Sequence, residues 1–302
     1  MLKSSIIVGG KYRLIRKIGE GTFGKIYEGL HKEKEEHKEK EEHKEKEEHK
    51  ETVAVKLIKL DASNEHKKIF ENEIEVYERL KGIKNIPSLF ASGIEGKFGY
   101  IVMDMFPQSL EELHINYKDQ LSLKVVIHLG LEMMTIIEDI HSRGIIHRDL
   151  KPANFLLKAN KENITELYLI DFGLSQLFLD DKQKHIMMKT NETIVGTIRY
   201  MSINVHQGFT ASRRDDLETL GYILMYLYYG ELPWQSKKQT SSNTLHSDKK
   251  KNVLESKERL MWSKDGINDF ILFILYCRNL GYSDKPCYDY LKNILKNMNN
   301  LV

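Results

Sequence analysis

The sequence has little of what secreted and membrane proteins are built from. Its 302 residues include only two cysteines, Cys277 and Cys287, which argues against a disulfide framework. The longest apolar run, residues 220–229, is too short to cross a bilayer, and the N-terminus does not resemble a signal peptide. We therefore expect a protein of a reducing compartment, the cytoplasm, the nucleus or both.

A strong charge of one sign is also missing. The chain has 46 lysines and arginines against 44 aspartates and glutamates, so its formal net charge is only +2. Such a balance gives no general attraction to nucleic acid or to a membrane surface, and we expect neither as a partner. Hydrophobic residues make up 41% of the chain, and this length allows a sizeable core and more than one domain.

Residues 31–51 have no apolar residue at all. They repeat HKEKEE three times and end in HKE, so the segment cannot bury a face. It is predicted to be a disordered loop or a solvated helix supported by Glu–Lys pairs. Its four histidines offer metal binding as an alternative, but a six-residue spacing turns a helix by about 600° and puts successive histidines on different faces.

The most informative stretch is HRDLKPAN at residues 147–154, with Asp-Phe-Gly beginning 22 residues after Asp149. This arrangement suits phosphoryl transfer. Asp149 can accept a proton from an attacking hydroxyl, Lys151 can neutralise phosphate charge, and Asn154 and Asp171 can hold Mg²⁺. Charges that merely cap neighbouring helices are the alternative, but eight matching positions with Asp-Phe-Gly at this spacing argue against it.

A second motif lies near the N-terminus. Strand-like residues 12–15 and 25–27 bracket GEGTFG at residues 19–24. In dinucleotide-binding folds a glycine loop opens a helix, whereas here it joins two strands and predicts a hairpin lid over nucleotide phosphates. A flexible hairpin turn would explain the glycines equally well if the motif stood alone.

A lysine and a glutamate follow in a pattern that predicts an ion pair. Lys56 lies in a predicted strand over residues 52–58, and a helix is predicted over residues 65–80. Glu73 shares the apolar face of that helix, where an unpaired carboxylate would be costly. Lys56 is its natural partner, and the pair would place the lysine against nucleotide phosphates. A glutamate that reaches solvent at the edge of the face is the alternative.

The pattern changes after two further predicted strands, near residues 88–92 and 100–103. We expect an α+β protein, with residues 1–105 forming a five-stranded antiparallel sheet plus one helix and carrying the 31–51 insertion. Residues 106–302 should form a larger, mainly helical domain. Its helices are predicted near residues 123–143, 212–229, 252–261, 268–278 and 288–297.

The helix at residues 212–229 is apolar nearly all round after its first turns, so it should be central. Asp215 and Asp216 suit its positive N-terminal end. Before it, about 25 residues after Asp171 read as a mobile substrate-binding loop ending in GTIRY at residues 196–200. Thr190 and Thr193 in this loop are candidate phosphorylation sites.

Together these motifs resemble a eukaryotic protein kinase, and within that group the casein kinase I family. The family-specific signal is GTIRYMSIN at residues 196–204, where most protein kinases carry Ala-Pro-Glu. Residues 212–226 match SRRDDLExLGYxLMY, and LPWQ at 232–235 and YCR at 276–278 also match. The sequence departs from the family in the insertion, in Asp104 where glutamate is usual, and in residues 237–251, which align poorly.

The resemblance implies a two-lobed, monomeric Ser/Thr kinase that uses ATP and Mg²⁺ and transfers the γ-phosphate to proteins with acidic or phosphorylated residues before the acceptor. Asp149 would be the catalytic base, assisted by Lys151, Lys56 and Glu73, with Asn154 and Asp171 as metal ligands. The nucleotide would contact Ile18, Gly19, Glu20, Gly21, Thr22, Phe23, Gly24, Lys25, Ile26, Ala54, Lys56, Met103 (the gatekeeper), Phe106 (through the hinge backbone) and Leu156.

The resemblance also implies a pocket for substrate anions. Arg199 matches the family's pocket arginine, and a guanidinium suits bidentate phosphate contact. Aligning Leu254 with an apolar position of the family points to Lys250 as its partner. A structural ion pair for Arg199 and a solvated loop for the lysine are the alternatives. Family members are usually active without activation-loop phosphorylation, so Thr190 and Thr193 need not be switches.

Two rival functions fit the same fold. A pseudokinase would keep the fold as a binding scaffold without chemistry, but every position that the chemistry requires is filled. A small-molecule kinase is disfavoured because the GTIRY segment and the central helix resemble protein-kinase features.

Overall fold

The computed structural model describes residues 6–21, 24–32, 52–60, 64–117, 121–159, 165–235, 246–260 and 269–298. The chain divides into two compact units, Met1–Pro107 and Gln108–Val302. The first holds an antiparallel sheet with a helix and the second is mainly helical, which confirms the predicted fold class.

Within its described residues, the first unit forms a six-stranded antiparallel sheet in the order β1-β2-β3-β4-β6-β5. Its strands are β1 (Ile7–Val8), β2 (Tyr12–Glu20), β3 (Lys25–His31), β4 (Thr52–Lys59), β5 (Leu89–Glu95) and β6 (Phe98–Asp104). The expected five strands were one too few, because Val8 pairs with Tyr12 and adds the short β1 at the edge. Alternating valines carry the core, in which Val53 and Val55 of β4 pack with Val102 of β6.

One helix, α1 (Glu65–Arg79), accompanies this sheet in the described part of the unit. It ends one residue before the predicted Leu80. Its buried positions are Phe70, Glu73, Val76 and Tyr77, which recur at helical spacing. The predicted face is therefore correct, including the glutamate within it.

The second unit is built from helices and short strands. In its described residues the helices are α2 (Leu110–Asn116), α3 (Leu123–Ser142), α4 (Ile203–His206), α5 (Arg213–Tyr229), α6 (His246–Arg259), α7 (Asp269–Asn279) and α8 (Tyr288–Met298). The strands are β7 (Gln108–Ser109), β8 (Ile145–Ile146), β9 (Phe155–Ala159), β10 (Thr165–Leu169) and β11 (Gln176–Leu177). Strands β10, β9 and β7 form one small sheet, and β11 pairs with β8. Among the described residues, no helix is long and apolar enough to span a membrane.

Helix α5 is the centre of the second unit, as its composition predicts. It packs against α3 and α7, and its residues from Asp215 to Leu227 are all buried. Gly221 permits the close approach of α7, because a Cβ atom there would lie 2.6 Å from Cγ1 of Ile274. Gly130 on α3 is less constrained, since its Cβ would meet the terminal Cδ2 of Leu224 at 3.0 Å.

We predict that Gly221→Ala lowers the free energy of unfolding by about 1–3 kcal/mol, the usual cost of overpacking, despite the better helix propensity of alanine. Gly130→Ala is the matched control, because a leucine methyl can move aside and the propensity gain of about 1 kcal/mol then remains. Denaturant unfolding of both variants measures the difference. Equal stability of the two variants would contradict the packing role of Gly221.

Candidate active site

The catalytic loop, residues 147–154, begins directly after β8 and is anchored to α5 by one carboxylate. Asp216 accepts hydrogen bonds from the main-chain N–H groups of His147, at 2.7 Å, and Arg148, at 2.9 Å. Nε2 of His141 lies 3.1 Å from the same carboxylate. Although burial opposes it, the hydrogen bonds from His141 and from the main-chain N–H of His147 hold the pKa of Asp216 below its usual value.

His147 links this loop to the segment that contains Asp171. Its Nδ1 accepts the main-chain N–H of Asp149 at 3.2 Å, so its proton lies on Nε2, which is 3.0 Å from the carbonyl oxygen of Ile170. Arg148 and Asp171 adopt positive φ angles of 70° and 69°. Such strained backbone is typical of functional sites, where surrounding contacts hold it in place.

Both oxygens of the Asp149 carboxylate are engaged. Oδ1 accepts the main-chain N–H of Thr197 at 2.8 Å and its Oγ1 hydroxyl at 2.7 Å. Oδ2 accepts Nζ of Lys151 at 2.6 Å. An ionised carboxylate has about four acceptor positions, so these three donors orient the group and still leave capacity for an acceptor hydroxyl.

Gly196 makes the contact between Thr197 and the catalytic loop possible. Its φ angle is +95°, and a Cβ atom there would lie 2.6 Å from the carbonyl oxygen of Arg148. Any other residue would combine an unfavourable backbone conformation with a clash against main chain. The geometry therefore requires glycine at the first position of the GTIRY motif.

Asn154 and Asp171 fit the role of ligands for a divalent metal. The amide nitrogen of Asn154 donates to the carbonyl oxygen of Asp149 at 2.9 Å, which fixes the amide and makes its oxygen the atom that can ligate a cation. The main-chain N–H of Ile170 donates to the carbonyl oxygen of Asn154 at 3.0 Å. Asp171 follows directly, so one main-chain bond ties together the segments that carry two oxygen ligands of the type that Mg²⁺ prefers.

The predicted ion pair is present in the first unit. Nζ of Lys56 lies 2.8 Å from Oε1 and 2.7 Å from Oε2 of Glu73. The glutamate side chain is completely buried and that of the lysine is 11% exposed. Burial makes this pair costly to break, because either partner left alone would be an uncompensated charge.

The glycine hairpin is closed by a hydrogen bond from the main-chain N–H of Gly21 to the carbonyl oxygen of Gly24 at 2.9 Å. Thr22 and Phe23 lie outside the described residues. Gly24 approaches β4 so closely that a Cβ atom would lie 2.5 Å from the carbonyl oxygen of Leu57. This glycine therefore has a packing role in addition to its predicted approach to phosphates.

The remaining residues assigned to nucleotide binding lie on several elements. Ala54 of β4 pairs with Met103 of β6, and Met103 is buried with its Sδ 3.7 Å from the hydroxyl of Tyr77. In the first unit, Ile18, Gly19 and Glu20 are on β2, Lys25 and Ile26 are on β3, and Phe106 follows β6. Leu156 is on β9 of the second unit. Their contact with nucleotide stays a prediction.

Arg199 and Lys250, the residues predicted to bind substrate anions, contact different elements. The guanidinium carbon of Arg199 lies 5.7 Å from the ring centre of Tyr200 and 5.8 Å from that of Tyr226. Lys250, on α6, lies near His206. Burial and then the charge of Lys257 lower the pKa of His206 to about 4, and the main chain and the charge of Lys250 act on it in opposite directions. Their joint action on a phosphate stays a prediction.

Three residues important to this geometry were not assigned their roles from sequence. They are Thr197, which contacts the distant Asp149, and His147 and Asp216, which hydrogen-bond to main-chain groups. From sequence, the helix dipole alone accounts for Asp216. An adjacent pair of acids at the start of an otherwise apolar central helix is the signal that could have indicated a buried anchoring role.

His31, the first histidine of the charged repeat, is the last residue of β3 and packs edge-on against Tyr12, with ring centres 5.1 Å apart. The other three histidines lie outside the described residues. The suggested metal site therefore stays a hypothesis.

We predict that Lys56→Met lowers the free energy of unfolding by about 3 kcal/mol, since it leaves the carboxylate of Glu73 buried without its ammonium partner. Replacing both residues, Lys56→Met with Glu73→Leu, should recover much of the loss. Glu75→Gln is the control, because Glu75 forms an exposed pair with Arg79 on the same helix, and such pairs contribute at most about 1 kcal/mol. Denaturant unfolding measures all four proteins, and a double variant no more stable than Lys56→Met would contradict the argument.

Comparison with known families agrees with this geometry. The model of the protein kinase domain matches residues 12–300. The match covers the glycine hairpin, the Lys56–Glu73 pair, the catalytic loop and the segment that contacts Asp149. The chain therefore belongs to the protein kinase family and is a phosphotransferase that uses ATP together with a divalent metal.

Proposed function

We propose that this protein is a Ser/Thr protein kinase of casein kinase I type that uses Mg²⁺ and acts on acidic or already phosphorylated substrates. The observation that carries the proposal is the contact of Thr197 with Asp149, at 2.7 and 2.8 Å. Thr197 belongs to GTIRYMSIN, the motif that resembles this family specifically. The family-specific segment thus touches the candidate catalytic base.

The chemistry proposed for these residues is proton acceptance and charge neutralisation. Asp149 accepts the proton of the substrate hydroxyl while Thr197 and Lys151 hold its carboxylate in one orientation. Lys151 also places positive charge beside the oxygen that attacks. Asn154 and Asp171 would hold Mg²⁺, which neutralises phosphate charge when it is bound. Positioning and electrostatics supply most of the rate enhancement in such a reaction.

The preference for anionic substrates rests on Arg199. Arg199 is exposed, and its guanidinium lies over the rings of Tyr200 and Tyr226. These rings pre-organise the guanidinium to bind a phosphate or a carboxylate. Although burial acts in the opposite direction, the interaction with Tyr200 raises the pKa of Arg199, so it stays charged. Lys250 is the proposed second cation.

We also propose a monomer in the cytoplasm or nucleus, with protein substrates as its partners and with neither nucleic acid nor membrane among them. Free cysteines support the reducing compartment, since Cys277 is buried and Cys287 exposed without a disulfide. The near-neutral net charge supports the absence of a nucleic-acid or membrane partner.

The decisive experiment measures phosphate transfer from ATP to matched peptides that contain serine, threonine or tyrosine as the acceptor. We expect transfer to serine and threonine, and a loss of about 10²- to 10⁴-fold in kcat for Asp149→Asn with nucleotide binding retained. Asp289→Asn, an exposed site on α8, is the control. Transfer to tyrosine alone would refute the proposed specificity, and nucleotide binding without transfer would favour a scaffold.

The same assay tests the anion preference with a serine peptide that is phosphorylated a few residues before the acceptor, and with its unphosphorylated counterpart. We expect the phosphorylated peptide to have the higher kcat/KM and Arg199→Ala to remove most of that advantage. An advantage that survives Arg199→Ala would exclude Arg199 from the pocket. No advantage in the wild-type protein would refute the substrate preference while leaving the kinase activity standing.

We further predict that Thr197→Val lowers kcat about tenfold, because one charged hydrogen bond to Asp149 is lost while the main-chain bond remains. Thr197→Ser keeps the hydroxyl and should retain most of the activity. Steady-state kinetics with a serine peptide distinguish the two. A loss in Thr197→Ser as large as that in Thr197→Val would contradict the role of the hydroxyl, because the serine variant keeps that group.

A further inference from the structure

Helix α6 carries a lysine whose side chain is completely buried, Lys257. Its Nζ donates to the carbonyl oxygens of Ile198, at 2.8 Å, and Met201, at 2.6 Å. The ammonium also lies 5.2 Å from the ring centre of Tyr222 and 5.3 Å from that of Trp234. Carbonyl oxygens and aromatic faces therefore surround a charge that has been taken out of water.

Such a position is costly for a cation. Burial lowers the pKa of Lys257 to about 7, and the charge of Glu218 only partly opposes this effect. An apolar side chain of similar length would fill the same space without that cost. Filling space therefore does not explain why a lysine stands here.

The two carbonyl groups bound by Lys257 belong to the segment that follows Thr197. Between them, the carbonyl oxygen of Arg199 accepts Nε1–H of Trp234 at 2.8 Å. The next residue, Ser202, donates its hydroxyl to Asp215 at 2.6 Å. The segment from Thr197 to Ser202 is thus held at its ends by the side chains of these two residues. Between them, it is held through the main-chain carbonyl groups of Ile198, Arg199 and Met201.

Lys257 is itself held in place from α7 and α5. Nη2 of Arg278 donates to the carbonyl oxygen of Lys257 at 3.0 Å, and its Nε donates to Glu218 at 2.9 Å. The main-chain N–H of Ile203 lies 3.3 Å from the same glutamate oxygen. A continuous set of polar contacts therefore connects the centre of the unit, through Lys257, to the segment that touches Asp149.

We propose that Lys257 is a positioning residue for phosphate transfer. By holding the carbonyl groups of Ile198 and Met201, it fixes the main chain that places Thr197 on Asp149 and presents residues 198–201 to the acceptor peptide. The inference rests on protein kinase activity alone, and it holds whether or not the enzyme is of casein kinase I type.

The test compares Lys257→Gln and Lys257→Arg with the wild-type protein and with Lys296→Met, an exposed lysine on α8. Rates are measured per nucleotide-binding site and well below the melting temperature of each variant, which removes the contribution of unfolded protein. We expect Lys257→Gln to lower kcat for the peptide by roughly 10- to 100-fold, the scale of a misplaced catalytic group, and to raise the peptide KM. Nucleotide affinity should stay unchanged, and Lys257→Arg should retain more activity than Lys257→Gln.

A double-mutant cycle with Thr197→Val separates positioning from general stability. If Lys257 acts through Thr197, the two losses in kcat will overlap, and the double variant will be less impaired than their product predicts. Fully multiplicative losses, or an unchanged kcat per nucleotide-binding site in Lys257→Gln, would overturn the inference. Should Lys257→Gln fail to fold, the same cycle is run with Lys257→Met, whose apolar side chain of similar length fills the same space without a buried polar group. Wild-type protein that binds nucleotide without phosphorylating the peptide would instead refute the activity itself.

Discussion

The carboxylate of Asp216 is the contact on which the arrangement of the catalytic loop depends. It lies on the buried central helix and accepts two consecutive main-chain N–H groups, from His147 and Arg148, so it fixes the direction in which the chain enters the loop. The next residue is Asp149. The orientation of the candidate base therefore originates in a helix that begins more than sixty residues later in the chain, and the apolar packing of that helix is what makes the carboxylate rigid.

In both units, each buried charge discussed above has a partner, but the kind of partner differs. In the first, Lys56 and Glu73 neutralise each other directly. In the second, Lys257 donates hydrogen bonds to main-chain carbonyl oxygens and lies over aromatic rings. Glu218 accepts hydrogen bonds from Arg278 and Tyr222. The first arrangement keeps a cation available beside its partner, and the second uses charge to hold main chain. Polar groups inside both units thus mark the elements that must keep one geometry.

Local patterns predicted much of this protein, because period and burial act over short distances. The sequence predicts helix α1 at residues 65–80, and it is observed at Glu65–Arg79. It also predicts that Lys56 pairs with Glu73, because a carboxylate on an apolar face needs a partner, and the pair is present. Thr197 and Asp216 were missed because their contacts join residues 48 and 68–69 positions apart, and no periodicity encodes such a distance. The sequence does not predict the short strand β1, because two residues are too few to show the alternation of a strand.

The register between β3 and β4 has a consequence for the charged repeat. Leu30 pairs with Thr52, so the chain leaves the sheet and returns to it at neighbouring positions on antiparallel strands. The free-energy cost of joining such ends rises only with the logarithm of the number of residues between them, so one more six-residue unit would add about 0.2 kcal/mol. A further copy of HKEKEE would therefore leave the pairing of β3 with β4 unchanged, so this connection tolerates repeat expansion.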